Sequence, residues 1–169
     1  MVRLSAACLV LSLWLATACS ATDTAGQRVV ELNAVDTVPR RGLPAQELDV
    51  GECGLFLWSL SGEPTFIFFA KATQNSATML IGAQERTLAR TASDGDIFGQ
   101  FMTQMGWVSP DTGHRVDLVF EAGELLGEGQ RISNGRIKLV DGEGWETIIP
   151  VAGVRACLNP PEGRPITLS

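Results

Sequence analysis

The feature that most constrains the fold is a series of short apolar runs separated by turn residues, which fills most of the chain from Cys53 onward. Each run has the length of a strand, and several alternate apolar with polar residues, as a half-buried strand requires. The clearest example is residues 114–121, where Val116, Leu118 and Phe120 face one way and the intervening side chains the other. This pattern predicts β-structure.

Turn residues divide the runs into hairpins. Residues 61–64 and 141–144 have the composition of tight turns, because Gly, Pro and Asp favour turn conformations. Residues 101–107 show a two-residue period, with a helix over residues 97–105 as the competing interpretation. The predicted strands cover residues 53–60, 65–72, 77–83, 86–91, 101–107, 114–121, 135–140, 145–151 and 154–158. About eight or nine short strands predict an all-β fold, either an antiparallel β-sandwich or a small β-barrel.

Composition agrees with a folded domain and excludes one class of partner. The chain contains 18 glycines and is 45% hydrophobic, and its formal net charge is -6. Apolar content at this level is typical of a globular domain rather than a disordered one. The acidic balance disfavours nucleic acid as a partner.

The first residues have the pattern of an export signal. Arg3 precedes an apolar run over residues 4–15, and the small residues 16–18 follow it. A basic start, an apolar core of this length and a small-residue exit are typical of a secretory signal peptide. The run is too short for a membrane-spanning helix, which needs about 20 apolar residues. A buried N-terminal helix is the alternative.

The end of this signal resembles the lipobox of bacterial lipoproteins, in which small residues precede a cysteine. Here Ala16 stands where Leu is usual, Thr17 stands where Ala or Ser is usual, and Cys19 is the cysteine. The resemblance implies that Cys19 is acylated and becomes the first residue of the exported chain. By the family's sorting rules, Ser20 implies the outer membrane, with the protein facing the periplasm. Cleavage by ordinary signal peptidase after Ala18 is the alternative and would give a periplasmic or secreted protein.

The four cysteines support the same interpretation. Cys8 is removed with the signal, and acylation of Cys19 leaves Cys53 and Cys157 as a pair. A disulfide between them suits an oxidising compartment. It also requires the first and last strands to be neighbours, which is the geometry of a closed sheet.

These observations divide the chain into four parts. Residues 1–18 are the predicted signal peptide, and residues 19–48 a lipid-anchored flexible tether. The β-domain is expected over residues 49–160, followed by a C-terminal tail over residues 161–169.

The sequence offers little for catalysis, metal binding or cofactor binding. His114 is the single histidine, and no Gly-x-Ser-x-Gly elbow accompanies it, so a Ser-His-Asp site is disfavoured. We expect His114 on the surface at a strand edge. Residues 93–96 match only a fragment of a calcium loop. Glu121, Glu124 and Glu128 are the carboxylates open to a hydrolytic role. We predict no catalytic residue, no metal and no cofactor.

The aromatic residues supply the candidate ligand face. Phe66 and Phe68 share one face of their predicted strand, and Trp107 ends another strand. An aromatic face of this kind is either buried core, the favoured interpretation, or an exposed ligand-binding surface.

Three functions remain open. The first is a non-catalytic binding or structural module held at the membrane by its acyl chains, with a protein partner in the envelope. The second is an inhibitor of an exported hydrolase, since the chain is loosely similar to small disulfide-bonded β-barrel lipoproteins that plug lysozyme. That family's Ser-Gly…Tyr and Trp-x-Lys-Gly elements are only echoed by residues 93–96 and 105–108, and there is no Tyr. The third is a carboxylate-based hydrolase.

Overall fold

A computed structural model describes residues 42–159, and these form a closed antiparallel barrel of eight strands in chain order. The all-β prediction is confirmed, and the barrel alternative holds over the sandwich. Because each strand pairs with its two neighbours and the last pairs with the first, the sheet has no free edge. The strands are β1 Cys53–Ser59, β2 Thr65–Lys71, β3 Ser76–Ile81, β4 Gln84–Phe98, β5 Phe101–Val108, β6 Arg115–Leu126, β7 Gly129–Val140 and β8 Glu146–Cys157.

The ring closes where β1 pairs with β8. Cys53 lies directly opposite Cys157 in this ladder, and the two are joined by a disulfide across a sequence separation of 104. The predicted pairing is therefore confirmed, as is the expectation that the first and last strands are neighbours.

Several strands are longer than their apolar patterns. The alternative prediction of a helix over residues 97–105 is wrong, because β4 runs through Phe98 and β5 begins at Phe101. The predicted strands 145–151 and 154–158 are one continuous strand, β8. Gly153 makes that continuity possible: a Cβ atom there would lie 2.0 Å from the carbonyl oxygen of Phe56 on β1. Only a residue without a side chain permits this approach.

Apolar side chains fill the lumen of the barrel. At its centre the rings of Phe68 and Trp107 meet edge to face, with centroids 5.0 Å apart. Both are almost completely buried, as are the residues around them. The surrounding interior side chains include Leu55, Leu57, Met79, Leu88, Val116, Leu118, Ile137, Leu139, Ile149 and Val151. Edge-to-face packing contributes about 0.5–1.5 kcal/mol beyond the burial of each ring.

The two ends of the barrel differ. We call the end that carries Cys53 and Cys157 the disulfide end, and the end that carries the β3–β4, β5–β6 and β7–β8 connections the mouth end. At the disulfide end the tip of the β4–β5 hairpin crosses the lumen, so that a Cβ on Gly99 would lie 2.9 Å from Arg155 of β8. Phe98 is buried there and packs against Phe120 at a centroid distance of 5.0 Å. This end is therefore plugged.

The start of the described chain covers an aromatic strip on the outside of the barrel. The backbone N–H of Leu43 donates to the carbonyl of Phe66, and the Leu43 side chain is buried. The strip consists of four aromatic rings that contact one another in the spatial order Phe69, Phe56, Phe66 and Trp58. The stretch 42–48, which the sequence places in the tether, thus packs on the barrel.

Candidate binding site at the barrel mouth

A cavity of about 340 Å³ opens at the mouth end. Three connections contribute to its wall: Gly82 from β3–β4, Thr112 and His114 from β5–β6, and Asp141 and Trp145 from β7–β8. The strands add Ile81, Arg86, Leu139 and Thr147. Barrel mouths are common positions for ligand sites, because the strands hold the loops rigidly around a concave surface.

Strand register explains why Arg86 lies in this cavity. Arg86 pairs with Met79 across the β3–β4 ladder, and paired residues on antiparallel strands project to the same face. Since Met79 is buried in the lumen, Arg86 also points inward, toward the mouth. Its guanidinium donates to Gln84. No Asp or Glu of residues 42–159 forms an ion pair with it.

The β7–β8 turn presents Trp145 at the rim. One carboxylate oxygen of Asp141 accepts the backbone N–H groups of Glu143 and Trp145, each at 2.9 Å. The bond from Trp145 is the main cause that holds the pKa of Asp141 below its ordinary value. The turn is therefore fixed by Asp141, while the Trp145 side chain remains 69% exposed. A large aromatic ring held in solvent beside a cavity is typical of a contact surface.

His114 belongs to the same cavity wall. It is partly buried, and its Nδ1 lies 2.6 Å from the hydroxyl oxygen of Thr112. The sequence placed His114 on the surface at a strand edge, and it does directly precede β6. What sequence alone did not indicate is its convergence with Arg86 of β4 and Trp145 of the β7–β8 connection.

The three residues of the candidate ligand face do not share a surface. Phe68 and Trp107 lie in the lumen, and Phe66 lies on the outer face in contact with Trp58, at a centroid distance of 5.1 Å. Phe68 pairs with Leu57 and Phe66 pairs with Trp58, and the register between β1 and β2 shifts at this point. This bulge places Phe66 and Phe68 on different faces of the sheet. Phe68 and Trp107 are thus core, the interpretation that the sequence favoured.

The other cysteine prediction, lipidation of Cys19, lies outside the described residues, as does the whole of the predicted signal peptide. Among residues 42–159 no helix is long and apolar enough to span a membrane.

The candidate carboxylates for hydrolysis are exposed on the β6–β7 hairpin. Glu121 accepts a hydrogen bond from Asn134 at 2.7 Å, and Glu124 pairs with Arg131 at 2.9 Å. Glu128 lies in the connection after β6. Each of the first two is engaged by a neighbour on the adjacent strand, which is the arrangement of a hairpin surface rather than of a catalytic cleft.

The acidic segment 93–96 lies in an irregular part of the β4–β5 pairing. The carboxylate of Asp94 accepts the N–H of Gly95, and the N–H of Asp96 donates to Thr103. Within the described part of the chain, no three His, Cys, Asp or Glu residues converge as metal ligands.

A buried carboxylate at the disulfide end has a structural role. Glu52 accepts hydrogen bonds from Lys71, at 2.8 Å, and from Thr73. The bond from Lys71, followed by that from Thr73, lowers the pKa of Glu52 to about 2. These contacts tie the segment before β1 to the end of β2. Lys71 also lines a cavity of about 170 Å³, together with Gln46 and Gln74.

Comparison with known proteins yields no relative: no protein-family model, no curated protein and no solved structure matches this chain.

Proposed function

We propose that the protein is a non-catalytic binding module of the bacterial envelope, tethered to the outer membrane through an acylated Cys19. The observation that carries the binding role is the mouth cavity, whose wall includes both Arg86 and the exposed ring of Trp145. Arg86 points inward and has no carboxylate partner among residues 42–159. Trp and Arg are the residue types most often found at the energetic centre of binding sites.

The side-chain contacts at the mouth support a binding role over a catalytic one. The Asp141 carboxylate is occupied by its own turn, and the His114 ring contacts Thr112. A general base needs a proton acceptor aimed at substrate, and a nucleophile needs such a base beside it. The mouth instead offers a turn held by Asp141 and a wall that combines apolar side chains with the Arg86 guanidinium, as a binding site requires.

The test of the binding role is recovery of a partner from detergent-solubilised envelopes by the purified protein. We expect a partner retained in stoichiometric amount by the natural chain and lost with Trp145→Ala. Ile97→Ala is the matched control, because Ile97 is also exposed but lies near the end of β4 at the disulfide end of the barrel. Retention that is equal in both variants would contradict a partner site at the mouth, and recovery of no stoichiometric partner would contradict a protein-binding role.

The tether is tested separately. Cys19→Ala should move the protein from the membrane fraction to the soluble periplasmic fraction, because the acyl chains are lost with the sulfur. Continued partition with the membrane would overturn the lipoprotein interpretation and leave the binding proposal intact.

The second candidate function is inhibition of an exported hydrolase such as lysozyme. One observation favours it: an eight-strand barrel closed by a disulfide between its first and last strands agrees with the resemblance to small disulfide-bonded barrel inhibitors. Of the two sequence echoes, Trp107 is buried and unavailable for contact, whereas Asp94 and Asp96 are exposed. Addition of the purified protein to a lysozyme assay should lower activity if this candidate is right, and unchanged activity removes it.

A further inference from the structure

We propose that the mouth cavity recognises a free carboxylate attached to a small apolar body, with Arg86 as the group that holds the carboxylate. This inference rests on the proposed binding function and names its ligand class. It is drawn from the charges, the lining and the size of the cavity.

The positive charge of Arg86 indicates an anionic ligand. Arg86 is partly buried and projects into the mouth from β4, and none of the ion pairs of residues 42–159 includes it. A guanidinium presents parallel N–H donors that match the two oxygens of a carboxylate. An uncompensated guanidinium at a partly desolvated position favours an anionic ligand, because the interaction is stronger there than in bulk water.

The neighbouring anion limits the charge of that ligand. Asp141 lines the same cavity and stays ionised, since backbone N–H groups of Glu143 and Trp145 hold its carboxylate. A dianionic phosphate would meet one cation and one fixed anion. A singly charged carboxylate takes the attraction of Arg86 with less repulsion, and so fits the pair better.

Beside its threonines and His114, the wall has an apolar part that is suited to an apolar body. Ile81 and Leu139 line the cavity, and the ring of Trp145 stands at its rim. A volume of about 340 Å³ lies at the low end of the range of roughly 300–1,000 Å³ seen for small-molecule pockets. The cavity therefore suits one apolar group beside the carboxylate. A small hydrophobic carboxylic acid and the C-terminal residue of a peptide share this chemistry.

Two matched pairs of probes test the proposal and separate these sources. Hydrocinnamate and its amide represent the small molecule, and N-acetyl-alanyl-phenylalanine and its C-terminal amide represent the chain terminus. Binding is followed through the indole N–H resonance of Trp145 in NMR spectra of the purified protein. The indole of Trp107, buried in the lumen, reports in the same spectra that each variant is folded.

We expect at least one of the two acids to shift the Trp145 resonance, with a Kd lower than that of its amide by about tenfold or more. Binding by the peptide acid alone identifies a chain terminus, and binding by both acids identifies a general hydrophobic carboxylate site. Inorganic phosphate should compete weakly or not at all.

The variants assign the interaction to Arg86. Arg86→Gln should raise the Kd of the acid to that of the amide. Arg86→Lys should restore part of the preference for the acid, because lysine keeps the positive charge but lacks the two parallel N–H donors of the guanidinium. Arg136→Gln is the matched control, since Arg136 is exposed on β7, and it should change nothing.

Equal affinity for acid and amide, or no shift of Trp145 with either pair, overturns the carboxylate inference. The broader binding function fails on a different result, namely retention of the envelope partner that is indifferent to Trp145→Ala. The two proposals can therefore be rejected independently.

Discussion

The guanidinium of Arg155 lies over the ring of Phe98, with its central carbon 5.6 Å from the ring centroid. Arg155 projects from β8 and Phe98 from the end of β4, and these strands lie on opposite sides of the eight-strand ring. The contact between cation and aromatic face therefore joins the two halves of the barrel across the disulfide end. It explains how the tip of the β4–β5 hairpin covers the disulfide end of the barrel, while the mouth end keeps a cavity.

The plug predicts a large effect for one substitution. Phe98→Ala should lower the free energy of unfolding by about 3–5 kcal/mol, because it removes a buried ring and leaves a void beneath Arg155. Chemical denaturation followed by Trp fluorescence measures this. Ile97→Ala, at a side chain that is 80% exposed, should change stability by less than about 0.5 kcal/mol. Similar losses in the two variants would show that Phe98 does not plug the barrel.

Closure by the disulfide predicts a second effect. Replacement of both Cys53 and Cys157 with Ala should reduce stability by about 4–5 kcal/mol if loop-closure entropy dominates, since the bond closes a loop of more than a hundred residues. Thermal denaturation with and without reductant measures the change. Reductant should destabilise the natural protein and leave the double variant unaffected; a response of the double variant would point to another thiol.

Glu52 predicts a dependence on pH. Its pKa is lowered from 4.5 to about 2 in the folded protein, chiefly by the hydrogen bond from Lys71. The stabilisation is therefore fully present above pH 4.5 and is lost as the pH falls from 4.5 toward 2. Denaturation midpoints measured across this interval should fall for the natural protein. In Glu52→Gln the fall should be smaller, and an unchanged slope would contradict the role of this carboxylate.

The close approach at Gly153 predicts a fourth outcome. Gly153→Ala should destabilise the barrel by about 1–3 kcal/mol or more, because the new Cβ would collide with the backbone of β1. Gly142→Ala serves as the control, since the nearest atom to its added Cβ is 3.6 Å away. Urea denaturation compares the two. A neutral Gly153→Ala would mean that β1 and β8 separate easily at this point.

Much of the fold is predictable from sequence because burial of alternate side chains leaves a visible pattern. The run from Val116 to Phe120 is such a case, and it became the buried face of β6. The turn at residues 61–64 is another, because it lies between β1 and β2 as its composition predicts. The disulfide pairing followed from the small number of cysteines left once Cys8 and Cys19 are assigned to the predicted signal peptide and lipobox.

The extensions of the strands left no such pattern. The distal parts of β4 and β6 are mostly exposed on both faces, so their side chains do not alternate, and pairing there depends on the backbone. The predicted strands therefore omit residues 93–96 and 122–126, which the structure places in β4 and β6. The continuation of β8 through Gly153 was equally invisible, since it depends on a contact with a distant strand.

The mouth cavity was beyond sequence reasoning for a different reason. Arg86 lies on β4, and His114 and Trp145 come from two separate connections, so the three have no fixed spacing that would indicate a site. Arg86 follows the strand alternation, but only its register with Met79 shows that it points inward. Closure of the ring is what brings these three together.

The position of the disulfide determines how the barrel responds to mechanical tension. Cys53 and Cys157 mark the two ends of the ring and lie opposite each other. A pulling force applied to the chain before Cys53 and after Cys157 therefore passes through the covalent bond and leaves the hydrogen-bonded ladders unloaded. While the bond is oxidised, such a force can detach the flanking segments but cannot unzip the strands.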